Sequence, residues 1–172
     1  MLTLTLPRVA ALVSLSFFAA ACSDTASTAA VDASATAEQT LIIDTHIDIP
    51  FRLHRGYVDV SKATDGGDFD YPRAKAGGLN AAFMSIYIPA AVDEAGDSVA
   101  LADKLIDDME NLANSHPDKF AIATCSADIE AQAAREVISM PLGMENGGPV
   151  ATSEEALDHF YERGIRYITL SH

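Results

Sequence analysis

Strand-like and helix-like segments alternate from Leu41 to the last residue, and this alternation restricts the fold more than any other feature of the sequence. Runs of β-branched and apolar residues predict strands at 41–49, 81–89, 120–125, 137–142 and 166–171. Apolar residues at helical spacing predict helices at 98–115, 127–135 and 153–163. Strands that alternate with helices form parallel βαβ units, so the chain is predicted to be of the α/β class. Periodicity alone leaves a barrel and an open doubly wound sheet as alternatives.

The ends of these segments carry further signals. Pro117 is expected to stop the first helix, and Ser126 to cap the second. The third helix is expected to begin at Ser153 and to end at Gly164. Cys125 is expected to be a small buried apolar residue in the third strand, and no disulfide framework is implied.

The charge balance excludes some classes of function. The 172 residues include 25 acidic and 11 basic side chains, for a formal net charge of −14. Binding of nucleic acid, or of anionic lipid by electrostatic attraction, needs a basic surface and is therefore not expected. Several acidic residues fall in the helix at 98–115 and are interpreted as a solvated face: Asp103, Asp107, Asp108 and Glu110.

The N-terminus has the layout of a secretory signal. Arg8 precedes an apolar run at 9–18 and small residues at 19–21, and the run is too short for a comfortable membrane span. Cys22 follows directly, as in a bacterial lipobox, so residues 1–21 are predicted to be a signal peptide and Cys22 to be lipidated. Ordinary signal-peptidase cleavage before the cysteine, or a buried N-terminal helix, are the alternatives.

The segment that follows is rich in Ala, Ser and Thr and cannot bury much apolar surface. Residues 22–40 are therefore predicted to be a lipidated cysteine and a disordered tether, followed by a domain at 41–172. Ser23 rather than Asp follows the cysteine, which favours an exported outer-membrane lipoprotein on the periplasmic side. The expected membrane contact is this lipid anchor.

Three ionisable residues alternate along the first predicted strand. Asp44, His46 and Asp48 share one face, because successive side chains of a strand point to opposite faces. On a buried face they would be costly without compensation, which a divalent cation would supply. Imidazole and carboxylate are standard zinc ligands. An exposed edge strand with a solvated polar face, or a hydrogen-bonded structural histidine, is the alternative.

Four stretches of the sequence resemble the membrane (renal-type) dipeptidase family, zinc metallopeptidases of the amidohydrolase superfamily. They occur in the family's order and cover most of the predicted domain: IIDTHIDIPFRL (42–53), DYPRAKAGGLNAAFMSIYIP (70–89), PLGMENGGPV (141–150) and ALDHFYERGIRYITLSH (156–172). The resemblance implies a metal-dependent (β/α)₈ TIM barrel, of which this chain would hold the N-terminal part with about five βα units.

The resemblance also implies roles for individual residues. His46 and Asp48 match ligands of the first zinc ion, and Glu145 matches a carboxylate that bridges two zinc ions. His172 matches a histidine that contacts substrate and stabilises the tetrahedral intermediate. By their residue type alone, Glu145 would be a surface loop glutamate and His172 a disordered terminal residue. Asp44 is expected to support the ligands rather than to bind metal. The other histidines match no ligand position: His54, His116 and His159.

The activity that the resemblance implies is hydrolysis of dipeptides by a hydroxide that bridges two Zn²⁺ ions. The partners are then dipeptide substrates, and a homodimer is an assembly that this interpretation allows. Two alternatives remain open: a catalytically inactive remnant or binding module, and another metal hydrolase on the same barrel.

The length bears on these alternatives. Subtracting the 40 residues of signal and tether leaves 132, whereas a (β/α)₈ barrel typically needs about 250. We therefore expect the barrel to be incomplete in this chain, with part of the family's site beyond it and no turnover from the 172 residues alone.

Overall fold

The computed structural model describes residues 32–151 and 153–170. The predicted signal peptide, Cys22 and His172 lie outside the described residues and keep the status of predictions. Helix α1 spans Ala33–Gln39, within the predicted tether, and the tether itself stays a prediction. Among the described residues, no helix combines the length and apolarity that a membrane span requires.

Strands and helices alternate along the described chain. The strands are β1 (Ile42–Ile47), β2 (Leu79–Tyr87), β3 (Phe120–Ala123), β4 (Ile138–Glu145) and β5 (Ile165–Thr169). The further helices are α2 (Ile49–Arg55), α3 (Tyr71–Ala76), α4 (Ala90–Glu94), α5 (Ser98–Ser115), α6 (Ser126–Ala133) and α7 (Glu154–Glu162), with a short 3₁₀ helix at Gly148–Val150.

All five strands belong to one parallel sheet. β2 lies between β1 and β4, since it pairs with both through Ala81 and Met84. β3 pairs with the first half of β4 and β5 with the second half, both on the side away from β2. Apart from the short β3, the strands thus follow one another in chain order, as in a β/α barrel. The α/β prediction is confirmed.

The core lies between the sheet and α5. The apolar positions of α5 recur at helical spacing, so that one face packs on the strands. Its fully buried members include Leu105, Ile106 and Met109 on α5, with Met84, Ile86, Phe120, Ile138, Met140, Leu142 and Met144 on the sheet. β1 contributes little to this core, because its four central residues are exposed.

Helix ends explain where the predictions succeed or fail. α5 has the predicted bounds, and His116, before Pro117, is its C-cap. Ser153 caps α7 by accepting a hydrogen bond from Ala156 N at 3.1 Å. Gly164 follows α7 with φ +99°, a backbone region that favours glycine.

The prediction for Cys125 is wrong. The thiol is exposed, and Cys125 rather than Ser126 is the N-cap of α6. The reason is Asp128, whose Oδ2 accepts hydrogen bonds from Thr124 N at 2.8 Å and Cys125 N at 3.2 Å. These bonds turn the chain out of the sheet after Ala123 and begin the helix.

Candidate metal centre

The C-terminal ends of β1 and β4 bring three side chains together. His46 is near the end of β1, Asp48 follows it, and Glu145 is the last residue of β4. Because the strands are parallel, these ends meet at one edge of the sheet, which is where barrel enzymes place their sites. One nitrogen of His46 and one oxygen of each carboxylate all lie within 4.8 Å of one another.

The distances suit a single cation. His46 Nε2 is 3.1 Å from Glu145 Oε2 and 3.4 Å from Asp48 Oδ1. Ligand atoms around a tetrahedral zinc ion are about 3.4 Å apart, given bonds of about 2.1 Å. One imidazole and two carboxylates are also ligand types that zinc accepts. The residues therefore fit a divalent ion by donor chemistry and by spacing.

The site is open on one side. The side chain of Asp48 is 69% exposed, that of His46 40%, and that of Glu145 15%. Among the described strands β1 pairs with β2 alone, so its polar face is exposed, as in the alternative of an edge strand with a solvated face. The three side chains come together because the ends of β1 and β4 meet at one edge of the sheet, and not because the face is buried.

Glu145 is held from several directions. Ser85 Oγ, buried in β2, donates a hydrogen bond to Glu145 Oε2 at 2.8 Å. The carbonyl of Glu145 accepts a hydrogen bond from Ile88 N at 3.0 Å. Asn146 then turns the chain with φ 78°, and its Nδ2 donates to the carbonyl of Ile88 at 3.0 Å. This turn ends β4 so that the carboxylate points along the sheet edge toward His46.

His46 is also held by its neighbours. Its backbone N–H donates to Asp44 Oδ1 at 3.0 Å, which places Asp44 in a supporting position as expected. Its ring nitrogen Nδ1 lies 3.0 Å from the hydroxyl oxygen of Tyr167. Partial burial, together with the carboxylates of Glu145, Asp48 and Asp44, raises the pKa of Tyr167 above its ordinary value of 10.0. The phenol is therefore neutral at physiological pH.

Comparison with known proteins identifies the family of this chain. The sequence profile of the membrane dipeptidase family, peptidase family M19, matches residues 31–172. This chain belongs to that family. It is 29% identical over 143 residues to dipeptidase ataJ of Aspergillus terreus. That alignment covers 76% of this chain and 35% of that protein. It is 28% identical over 136 residues to dipeptidase 3 of Mus musculus, with 76% and 26% covered.

Solved structures agree on the fold. A dipeptidase of family M19 aligns with a TM-score of 0.69 and 22% identity, over 78% of this chain and 43% of that one. A metallopeptidase from Rhodobacter sphaeroides, solved with a phosphinate mimic of the dipeptide L-Ala-D-Ala, aligns with a TM-score of 0.67 and 20% identity, over 76% and 45%. The predicted barrel-type fold is thus confirmed, and the chain spans about a third of the curated relatives it matches.

Ser85 and Tyr167 are site residues that the sequence did not single out. Ser85 is the one serine in the otherwise apolar and aromatic run AAFMSIYIP, which is the one signal that could have marked it. Tyr167 carries no such signal, since aromatic residues are common in strands. His54, His116 and His159 lie outside the candidate centre, as expected, and each faces an aspartate instead.

Proposed function

We propose that the protein is a zinc-dependent dipeptidase that hydrolyses the amide bond of dipeptides, with His46, Asp48 and Glu145 as metal ligands. One observation carries the proposal. In a chain of the membrane dipeptidase family, three ligand atoms from two separate strand ends lie within 4.8 Å at the C-terminal edge of the sheet.

The proposed roles follow from the contacts. His46 Nε2 and the two carboxylates would hold the ion, which when bound polarises an amide carbonyl and lowers the pKa of a water molecule. Ser85 keeps the carboxylate of Glu145 in place, where it would hold the metal. Asp44 fixes the backbone at His46. His172 is proposed to contact the substrate carbonyl, by resemblance to the family.

The test is hydrolysis of simple dipeptides by the product of the complete gene, followed as release of free amino acids. We expect activity that a zinc chelator removes and that added Zn²⁺ restores. His46→Ala should abolish turnover. His54→Ala is the matched control, because His54 lies on α2, away from the centre and near Asp108. Hydrolysis that survives both chelation and His46→Ala would overturn the proposal.

We further propose that the protein is exported and anchored by lipid at Cys22, as the lipobox-like sequence predicts. Labelling of cells with radioactive palmitate should mark the protein and place it in the outer-membrane fraction. Cys22→Ala should remove the label, and Cys125→Ala should keep it. Equal labelling of wild type and Cys22→Ala, or none in the wild type, would contradict the anchor.

A further inference from the structure

The Tyr167 ring reaches the candidate centre from β5, which pairs with β4 on the side away from β2 and β1. Tyr167 pairs with Gly143 across β4 and β5, and its ring packs on Phe83 with centroids 5.2 Å apart. A Cβ atom at position 143 would overlap this ring. The absence of a side chain at Gly143 therefore allows the phenol to cross β4 toward β1.

The contact between Tyr167 and His46 gives the two ring nitrogens of His46 different partners. Nδ1 is 3.0 Å from the Tyr167 hydroxyl. Nε2 faces the carboxylates of Glu145 and Asp48 instead. A histidine that binds metal through one nitrogen generally donates its other N–H to a fixed acceptor, which sets the tautomer and the ring orientation.

We propose that Tyr167 is a positioning residue that orients His46 for metal binding through Nε2, and that Gly143 makes this contact available. This inference rests on the proposed metal site. The hydroxyl is the group that acts, because a phenylalanine would pack on Phe83 equally well but would offer Nδ1 no acceptor. The hydrogen bond then runs from Nδ1–H to the hydroxyl oxygen, and Nε2 keeps its lone pair for the ion.

The experiment measures zinc affinity by competition with a chromophoric chelator, using Zn²⁺ alone as the probe. Tyr167→Phe should bind zinc about 10- to 100-fold more weakly than wild type, the usual cost of losing such a partner. Tyr161→Phe is the matched control, because Tyr161 is exposed on α7 and its ring contacts Arg166. Zinc affinity of Tyr167→Phe within about twofold of the control would overturn the inference.

A second readout separates orientation from packing. In zinc-loaded protein, nitrogen-15 NMR should show the Nδ1–H tautomer of His46, with a proton that exchanges slowly in wild type and quickly in Tyr167→Phe. Gly143→Ala should displace the ring and weaken zinc binding in the same way. An Nδ1 proton that is unchanged in Tyr167→Phe, or His46 bound through Nδ1, would contradict the proposed role.

The outcomes also separate this inference from the proposed function. Weaker zinc binding by Tyr167→Phe in a protein that hydrolyses no dipeptide supports the positioning role and overturns the dipeptidase proposal. Zinc-dependent hydrolysis with unchanged zinc affinity in Tyr167→Phe supports the dipeptidase proposal and overturns the positioning role. A wild-type protein that binds no zinc overturns both.

Discussion

At the residue scale, the candidate centre joins two carboxylates and one imidazole, with no lysine or arginine among its three ligands. Asp48 and Glu145 both lie within 3.4 Å of His46 Nε2, so their negative charges are close to one another. A divalent cation would offset that repulsion. The charge of each carboxylate, and not only its shape, is therefore expected to set the zinc affinity.

Glu145→Gln tests this expectation. Glutamine keeps the size of the side chain and can still accept the hydrogen bond from Ser85, but it removes the charge. We expect zinc to bind at least about 100-fold more weakly, more than the loss of a supporting residue costs. Glu130→Gln, at an exposed position of α6, should leave the affinity unchanged. Equal affinity in the two variants, measured by chelator competition, would rule out Glu145 as a ligand.

Asp70, the residue before α3, is a charged residue outside the candidate centre that accepts several hydrogen bonds. It is fully buried and caps α3, with Oδ1 accepting from Arg73 N and Oδ2 from Arg73 Nε, both at 2.9 Å. The hydrogen bonds from Arg73 and from Thr64 N hold the pKa of Asp70 well below its ordinary value of 3.8. The stabilisation is present above about pH 4 and is lost as the pH falls toward the lowered pKa.

Asp70→Asn should therefore lower the melting temperature by several degrees at pH 7, because the charged hydrogen bond to Arg73 is lost. The difference from wild type should shrink below about pH 4, where the unfolded carboxyl takes up a proton. Asp68→Asn, nearby and exposed, is the control. Melting curves from pH 3 to 7 would refute the explanation if the difference stayed constant.

The motifs that hold His46, Asp48 and Glu145 were enough to predict that these side chains meet, and their role as metal ligands stays a prediction. The supporting contacts could not, because they depend on strand register. Ser85 reaches Glu145 from the neighbouring strand, and Tyr167 reaches His46 across two strands. Hydrophobic periodicity fixes the face of a residue but not its partner across the sheet.

At the element scale, α5 and α7 are joined by one arginine. Arg163 Nη1 donates to Asp103 and Nη2 to Asp107, both at 2.7 Å, and Nη2 also lies 3.4 Å from Glu110. His159 adds a contact of 2.8 Å to Asp103. Three of the four acidic residues of α5 that were interpreted from sequence as a solvated face thus have a docking role as well.

Arg163→Met should lower the free energy of unfolding by about 1–2 kcal/mol, since three acidic side chains of α5 lose their shared partner and repel one another. The loss should be smaller at 1 M salt, which screens these partly exposed charges. Arg135→Met, at an exposed position after α6, is the control. Urea denaturation that gives the two variants equal stability would refute the role.

Long helices could be predicted well and short ones could not. The bounds of α5 follow from its apolar spacing and from Pro117. α2 was missed because its first residues, Ile49 and Pro50, extend an apolar run that looks like a strand. β1 in fact ends at Ile47, and proline suits the first turn of a helix. α3 and α4 have at most six residues, too few to show a helical period.

At the scale of the whole molecule, the ligands lie on strands that are far apart in the sequence and on opposite sides of β2. β1 is mostly exposed and is held by β2 alone among the described strands. An ion shared by His46, Asp48 and Glu145 would tie this exposed strand to the buried strand β4. Metal binding is therefore expected to stabilise the fold.

Zinc at about 100 times its dissociation constant should add about 2.7 kcal/mol to the stability of the folded state. The melting temperature of the wild type should rise accordingly in calorimetry, and that of His46→Ala should stay unchanged. A rise of equal size in both proteins would show that the ion acts at another site.

The most direct test of the proposed metal site is anomalous diffraction at the zinc edge, from crystals of the protein grown with Zn²⁺. We predict a peak about 2.0–2.2 Å from His46 Nε2 and from a carboxylate oxygen of both Asp48 and Glu145. Absence of a peak in contact with these three side chains would contradict the proposed metal site.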